Sequence, residues 1–257
     1  MPDDPQQPQS EFARYPSLAG KVVLVSGGAT GIGASIVEHF AAQGSRVAFL
    51  DFDRKDGEAV AERTGARFLF CDLRDIAALR AAVATVRQEL GPVNVLVNNA
   101  ARDDRHDWKT VEPDYWDERM HTNLRHQFFC IQAVAPDMQA VRAGSIINMG
   151  SVSWMKSEGG MPAYTTAKAA VRGLTRGLAR DLGPWGIRVN EVVPGWIFTE
   201  RQLALWAKPE AVAENMARQC LKERLYPPDV ARMVLWLAAD DSRMVTAQRF
   251  IVDGGSV

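Results

Sequence analysis

The stretch Lys21-Val-Val-Leu-Val-Ser26-Gly27-Gly-Ala-Thr-Gly31-Ile-Gly33 decides how the chain is read. Its first half is a run of β-branched and aliphatic residues, the pattern of a buried strand. Its second half is a glycine-rich turn that runs straight into an amphipathic helix, Ala34 to about Gln43, closed by Gly44. A second apolar run follows, Arg46-Val-Ala-Phe-Leu-Asp51, and ends on an acid. Strand, turn, helix and strand make a βαβ unit. With no side chains at Gly27, Gly31 and Gly33, a pyrophosphate can approach backbone N–H groups at a helix amino terminus, where the helix dipole favours anions. Thr30 and Ile32 belong to the same phosphate-facing turn. A tight turn with no ligand would use the same glycines, and Asp51 raises the odds of the phosphate site. It stands 20 residues after Gly31, where a carboxylate accepts hydrogen bonds from the adenosine ribose and repels a 2′-phosphate. NAD is expected over NADP. Arg54 and Lys55 nearby either attract a phosphate or are simply solvated at a helix start.

Outward from this unit the alternation continues. Asp53 to Thr64, Asp75 to Leu90, Asp114 to about Met138, Ala163 to Leu182 and Asp229 to Ala239 read as helices. Arg67 to Asp72, Val93 to Asn98, Ser145 to Gly150, Ile187 to Val193 and Arg249 to Val252 read as strands. Seven strands alternating with helices predict an α/β chain with a single-domain Rossmann fold, a doubly wound, mostly parallel seven-stranded sheet with helices on both faces. The domain spans 17–257, after a polar, proline-rich tail over 1–16. Residues 196–222 break the rhythm and read as an inserted, partly helical segment able to close over a ligand. At the third strand's end Asp72, beside Leu73, either contacts an adenine ring, or Asp72 or Asp75 caps the next helix.

The bulk composition narrows the function classes. The 257 residues carry a net charge of −1 from 30 basic and 31 acidic side chains, well mixed along the chain, which speaks against nucleic acid or an anionic membrane as partner. No run approaches the roughly 18 apolar residues of a membrane span. Three cysteines, Cys71, Cys130 and Cys220, lie far apart without metal-ligand spacing. They fit buried thiols in a reduced cytoplasm better than a zinc site or a secreted disulfide framework.

The chemistry is carried by Ser151, Tyr164 and Lys168. Tyr164 and Lys168 are four apart, on one face of a helix. An ammonium beside a phenol favours phenolate and draws the tyrosine pKa below its ordinary value. Ser151 ends an apolar strand, at the edge where open α/β sheets place their ligands.

Taken in register, the glycine turn, Asn98-Asn99-Ala100, Asn123, Ser151, Tyr164-x-x-x-Lys168, Pro194-Gly195 and Val252-Asp-Gly-Gly255 resemble the short-chain dehydrogenase/reductase family over about residues 18 to 255. The resemblance implies hydride transfer with NAD and a homotetramer, a dimer being the other option. It makes Tyr164 the general acid/base, with Lys168 holding the nicotinamide ribose, Ser151 bonding the reacting oxygen, and Asn123 anchoring a relay water; on its own, Asn123 also reads as a polar residue repairing a helix irregularity. It further implies that Asn98 and Ala100 lie along the cofactor, that Asn99 steadies the sheet, and that Ile197 and Thr199 meet the nicotinamide amide and the phosphates. Two positions depart from the family pattern: Ala101 stands where a glycine is usual, and Gly150 where a serine is common.

Substrate recognition is expected from three loops. The first, Ala101-Arg-Asp-Asp-Arg-His-Asp-Trp108, is dense in donors and acceptors, suited to a polyol or else a solvated loop. Within it Arg105 and His106 could reach substrate hydroxyls. Asp103 to His106, Tyr115 to Arg119, Asn123 to His126, Phe129 to Pro136 and Gln219 to Lys222 resemble the bacterial D-xylose 1-dehydrogenase branch of the family. That resemblance implies NAD-dependent oxidation of the anomeric hydroxyl of an aldose to a lactone. In the second loop, Ser153, Trp154 and Lys156 follow Ser151. Lys156 is either exposed or set to meet an acidic or sulfonated sugar. Trp154 and, in the third loop, Trp196 either stack on a pyranose face or form plain wall. The other functions considered are a reductase or dehydrogenase of another small alcohol or carbonyl, such as a 3-oxoacyl group, and a non-catalytic nucleotide-binding regulator.

Overall fold

The computed structural model describes residues 12–257. The apolar runs form β1 (Val22–Ser26), β2 (Arg46–Asp51), β3 (Arg67–Phe70), β4 (Val95–Asn98), β5 (Gly144–Met149), β6 (Ile187–Pro194) and β7 (Arg249–Val252). They lie in the order β3-β2-β1-β4-β5-β6-β7 with every neighbour parallel. Parallel neighbours require crossovers. These carry α1 (Gly31–Ala42), α2 (Arg54–Thr64), α3 (Ile76–Leu90), α4 (Pro113–Met120), α5 (His126–Val141), α6 (Pro162–Leu182), α7 (Glu200–Leu205), α8 (Pro209–Arg218) and α9 (Pro227–Ala238). The chain winds outward from β1 to β3 and then restarts at β4 on the other side of β1, which opens a crevice at that switch point.

Alternation along each strand splits the core into two layers. Val23 and Val25 pack with Val37 and Phe40 of α1 and Val230 and Val234 of α9. Val22 and Leu24 pack with Leu79 and Val83 of α3, Ile131 and Val134 of α5, and Ala179 of α6. On this second face the apolar layer stops one pleat short of the strand ends. Leu24, Leu96, Ile146 and Val189 give way two residues later to Ser26, Asn98, Asn148 and Glu191, all fully buried. Strand register aligns these with Arg249 of β7 in one row across five strands. Asn98 donates to Asn148 Oδ1 at 2.9 Å, and Asn148 donates to Thr175 Oγ1 of α6 at 3.1 Å.

The helix expected over residues 114 to 138 is interrupted. A π turn, His121–Arg125, separates α4 from α5 and contains Asn123. The expected tail is docked over its last residues: Tyr15 N donates to Gln43 Oε1 at 2.8 Å, and the Arg232 guanidinium sits 3.5 Å from the Phe12 ring centroid. The rest of that tail lies outside the described residues. Among the described residues no helix is long and apolar enough to cross a membrane. None of their His, Cys, Asp and Glu side chains cluster as a metal site.

Candidate active site

A cavity of about 1020 Å³ runs along the carboxyl ends of the strands, from Asp51 and Asp72 at one end to Trp196 and Trp206 at the other. Its nucleotide end is built from backbone. A Cβ on Gly33 would come within 1.7 Å of the Gly27 carbonyl oxygen, so only glycine lets α1 start this close to β1. Gly27, at φ +70°, has Ala100 Cα 2.7 Å from where its own Cβ would be. The start of α1 differs from those of its neighbours. Asp53 and Asp75 cap α2 and α3 by accepting from Asp56 N and from Ala77 N and Ala78 N, whereas Thr30 makes no side-chain cap bond. The first N–H groups of α1 therefore face a cavity lined by Thr30, Gly31, Ile32 and Gly33, a setting suited to an anion. The Asp51 carboxylate is fixed by Ala29 N at 2.9 Å and Asp53 N at 3.1 Å. Burial raises its pKa, against the lowering effect of those N–H groups. Asp72 and Leu73 also line this end, with Asp72 paired to Arg74 at 2.6 Å; the helix cap is Asp75. Arg54 lies over Phe70, and neither it nor Lys55 reaches the cavity wall. The residues present fit the adenosine and pyrophosphate of a dinucleotide.

Midway along the cavity Ser151, Tyr164 and Lys168 converge. Ser153 N donates to Ser151 Oγ at 3.1 Å, and Ser151 hydrogen-bonds the Tyr164 phenol. Lys168 is buried and donates to the Met149 carbonyl at 2.8 Å. Burial lowers its pKa to about 8, and Glu191 opposes that shift. The expected depression of the Tyr164 pKa is reversed here. Burial raises it strongly, the Ser151 hydrogen bond lowers it, and the Asp103 and Glu158 carboxylates raise it further. Lys168 Nζ sits 5.8 Å from the Tyr164 ring centroid, held on a carbonyl rather than at the phenol oxygen.

Several expected residues lie elsewhere. Asn123 is off the cavity wall and its side chain is in use, with Oδ1 accepting from Arg102 N at 2.8 Å and Nδ2 donating to Arg119 O at 3.0 Å. Its carbonyl accepts from Gln127 Nε2 at 3.2 Å. Asn98 is not on the wall, whereas Asn99 makes the kind of backbone contact expected of it. Asn98 belongs to the buried polar row, while Asn99 lines the cavity with Ala100 and donates to Gly27 O at 2.8 Å.

At the substrate end Arg105, Ser153 and Trp196 line the wall, as do Pro194, Gly195, Ile197 and Thr199 beside them. Thr199 Oγ1 caps α7 by accepting from Gln202 N. His106, Trp154 and Lys156 are not on the wall. His106 Nδ1 bonds the Tyr115 hydroxyl at 3.1 Å, and its Nε2 accepts from Ala163 N at 3.3 Å, tying the loop to the start of α6. Trp154 stacks under Arg249. Lys156 is half buried, and burial lowers its pKa against the opposing effect of the Glu158 and Asp253 carboxylates.

In their place the wall holds Asp103, Glu158, Gln202 and Trp206, which the sequence reading did not single out. Gln202 Nε2 donates to Asp103 Oδ2 at 2.8 Å, and Trp196 Nε1 donates to Gln202 Oε1 at 2.9 Å. Arg201 bonds Asp104 at 2.7 Å. These bonds fasten the segment after Pro194 onto the loop after β4.

A family model described as enoyl-(acyl carrier protein) reductase matches residues 27–256. A probable galactose dehydrogenase of Rhizobium meliloti is 48% identical, over 95% of this chain and 97% of its own length. The chain belongs to the short-chain dehydrogenase/reductase family. Dehydrogenases of this family use a nicotinamide cofactor, and the uncapped α1 terminus and Asp51 fit one. D-xylose 1-dehydrogenase of Caulobacter vibrioides is 47% identical, over 95% of this chain and 98% of its own length. A 3-alpha-(or 20-beta)-hydroxysteroid dehydrogenase of Mycobacterium tuberculosis is 39% identical, over 93% and 90%. The fold matches a short-chain type dehydrogenase/reductase from Mycobacterium ulcerans with a TM-score of 0.89 at 24% identity, covering 93% of this chain and 90% of that one.

Proposed function

We propose that the protein is an NAD-dependent aldose 1-dehydrogenase, oxidising the anomeric hydroxyl of a neutral sugar to the lactone. The observation that carries this reading is the polar wall of Asp103, Gln202, Glu158 and Arg105 beside Ser151 and Tyr164. A pyranose presents hydroxyls that both donate and accept, and this wall supplies both kinds of partner. An alcohol on a steroid or acyl chain would displace water from this polar wall without replacing the hydrogen bonds that water makes there. The galactose and xylose dehydrogenases among the relatives agree with the same reading. Lys156 is not among the residues that line the wall, so the reading that it meets an acidic sugar finds no support there.

A bound oxidised nicotinamide would supply the hydride acceptor. The chain's own residues manage the proton and the oxygen. Tyr164 takes the proton of the anomeric hydroxyl, and Ser151 donates to the same oxygen as its charge changes. Lys168, on the Met149 carbonyl, supplies a cation beside the phenol. Asn123 keeps the π turn and the Arg102 loop in place behind them. Asp51 would bond the adenosine ribose and exclude a 2′-phosphate.

A panel of D-galactose, D-xylose and other neutral aldoses, uronates and simple secondary alcohols, each with NAD and with NADP, tests the reading through absorbance of the reduced cofactor. Turnover of neutral aldoses with NAD is expected. Higher kcat/KM for secondary alcohols than for any aldose would overturn the substrate, and higher kcat/KM with NADP would overturn the cofactor.

A further inference from the structure

Glu191 stands in the middle of the apolar strand β6, is fully buried, and is not part of the cavity wall. Both arginines that meet it use one oxygen: Arg249 Nε lies 3.3 Å and Arg172 Nη1 4.0 Å from Oε2. The other oxygen, Oε1, has no hydrogen-bond partner among the described residues. It points at Gly150, where an added Cβ would come within 2.5 Å of it. Gly150 joins Met149, whose carbonyl holds Lys168, to Ser151. The glycine that departs from the family pattern and the acid inside an apolar strand thus occupy one space.

A buried ion pair is a poor source of stability, since its desolvation cost commonly equals its attraction. A charge placed here calls for another role. The groups around Lys168 are the Tyr164 ring on α6, His126 on α5 and Glu191 on β6. His126 is buried and kept neutral, its pKa lowered to about 3 by burial and then by Lys168 itself. Tyr164 is neutral until it gives up its proton. Of these three, Glu191 is the one that brings negative charge to Lys168.

We propose that Glu191 is a positioning residue for the Tyr164–Lys168 pair: from beneath Gly150 its carboxylate keeps Lys168 a cation on the Met149 carbonyl. The proposal rests on the reading of Tyr164 and Lys168 as the acid/base pair. Without the carboxylate, Lys168 loses its proton at lower pH, the phenol loses its neighbouring cation, and Tyr164 ionises only at higher pH.

The test is Glu191→Gln, read in two ways. In the cofactor-free protein, acylation of Lys168 by a small amine reagent is followed against pH by peptide mass spectrometry. The midpoint is expected to fall by about 1 pH unit. In turnover, the rising limb of kcat for sugar oxidation is expected to move to higher pH with KM nearly unchanged. An unmoved labelling midpoint overturns the proposal whatever happens to the melting temperature, which a purely structural role would also lower. If Tyr164→Phe leaves the rising limb in place, the acid/base reading fails separately, and the labelling midpoint still reports on Glu191 and Lys168. Should Glu191→Gln not fold, Glu191→Ala combined with Gly150→Ser refills the space. A lowered midpoint in that double variant supports the proposal, and a wild-type midpoint overturns it.

Discussion

The two ends of the cavity are built by different means. At the nucleotide end the contacts run between strand ends and the turns that follow them: Asp51 reaches Ala29, 22 positions away and on the neighbouring strand's turn. At the substrate end they join segments remote in sequence. Gln202 meets Asp103 across 99 positions, and Arg201 meets Asp104 across 97. The first end is rigid because the sheet register fixes it. The second holds together through side chains on an exposed helix, α7, whose pairs contribute little individually in water. One end can bind the shared part of a dinucleotide with fixed geometry, while the other can vary with the sugar. Between them Ser151, Tyr164 and Lys168 sit on β5's end and α6, as fixed as the nucleotide end.

The largest expected effect breaks the chemistry and leaves both ends standing. Tyr164→Phe should lower kcat by about 10²–10⁴-fold, with the dinucleotide Kd from fluorescence titration unchanged. Equal loss of dinucleotide binding would show that the middle and the nucleotide end are one unit. Gly33→Ala addresses the nucleotide end alone. Its Cβ would sit 1.7 Å from the Gly27 carbonyl oxygen, and the α1 start must move. A loss of about 3 kcal/mol in chemical denaturation is expected, together with loss of dinucleotide binding. Gly173 on α6 has nothing within 4 Å of an added Cβ, so Gly173→Ala is the control and should leave binding intact. Asp51→Ser should raise the ratio of kcat/KM with NADP to that with NAD by about tenfold or more, through loss of like-charge repulsion. An unchanged ratio would show that Asp51 does not set the choice of cofactor.

The same contrast explains what could be read before the structure was known. Strand periodicity and the glycine turn place Gly27, Gly31, Gly33 and Asp51 because each is positioned by its own strand. The burial of Asn98 follows from parity: it shares a face with Leu96, which packs in the second core layer, so it turns inward and Asn99 turns to the cavity. The π turn hardly changes the apolar spacing on either side of it, and its one mark in the sequence is Asn123, a polar residue inside a helix and suited to repairing an irregularity there. His106, Trp154 and Lys156 were placed by their nearness to Arg105 and Ser151 along the chain. In loops that nearness says little about direction: His106 bonds Tyr115 and Trp154 lies under Arg249, both off the wall. Asp103 and Gln202 needed the opposite knowledge, that two remote loops touch. Glu191 did leave a mark, as a carboxylate where the strand pattern asks for an apolar residue.

Gln202→Ala and Lys156→Ala carry the smaller predictions, and they sharpen the contrast inside the substrate end. Gln202 bonds both Asp103 and the Trp196 indole. Truncating it leaves an acceptor and a donor unpaired, each worth about 1–3 kcal/mol where water cannot replace the bond. This wall is partly open to water, so the expected loss in kcat/KM for the aldose is the low end of that range, about tenfold, with no change in dinucleotide Kd. The melting temperature should move little, because the sheet does not depend on this contact. Lys156→Ala removes a side chain that does not line the wall, and KM for a neutral aldose should stay where it is. A larger effect from Lys156 than from Gln202 would mean that the loop after Ser151 rearranges when sugar binds, and that the fixed wall described here is the resting position of a mobile one.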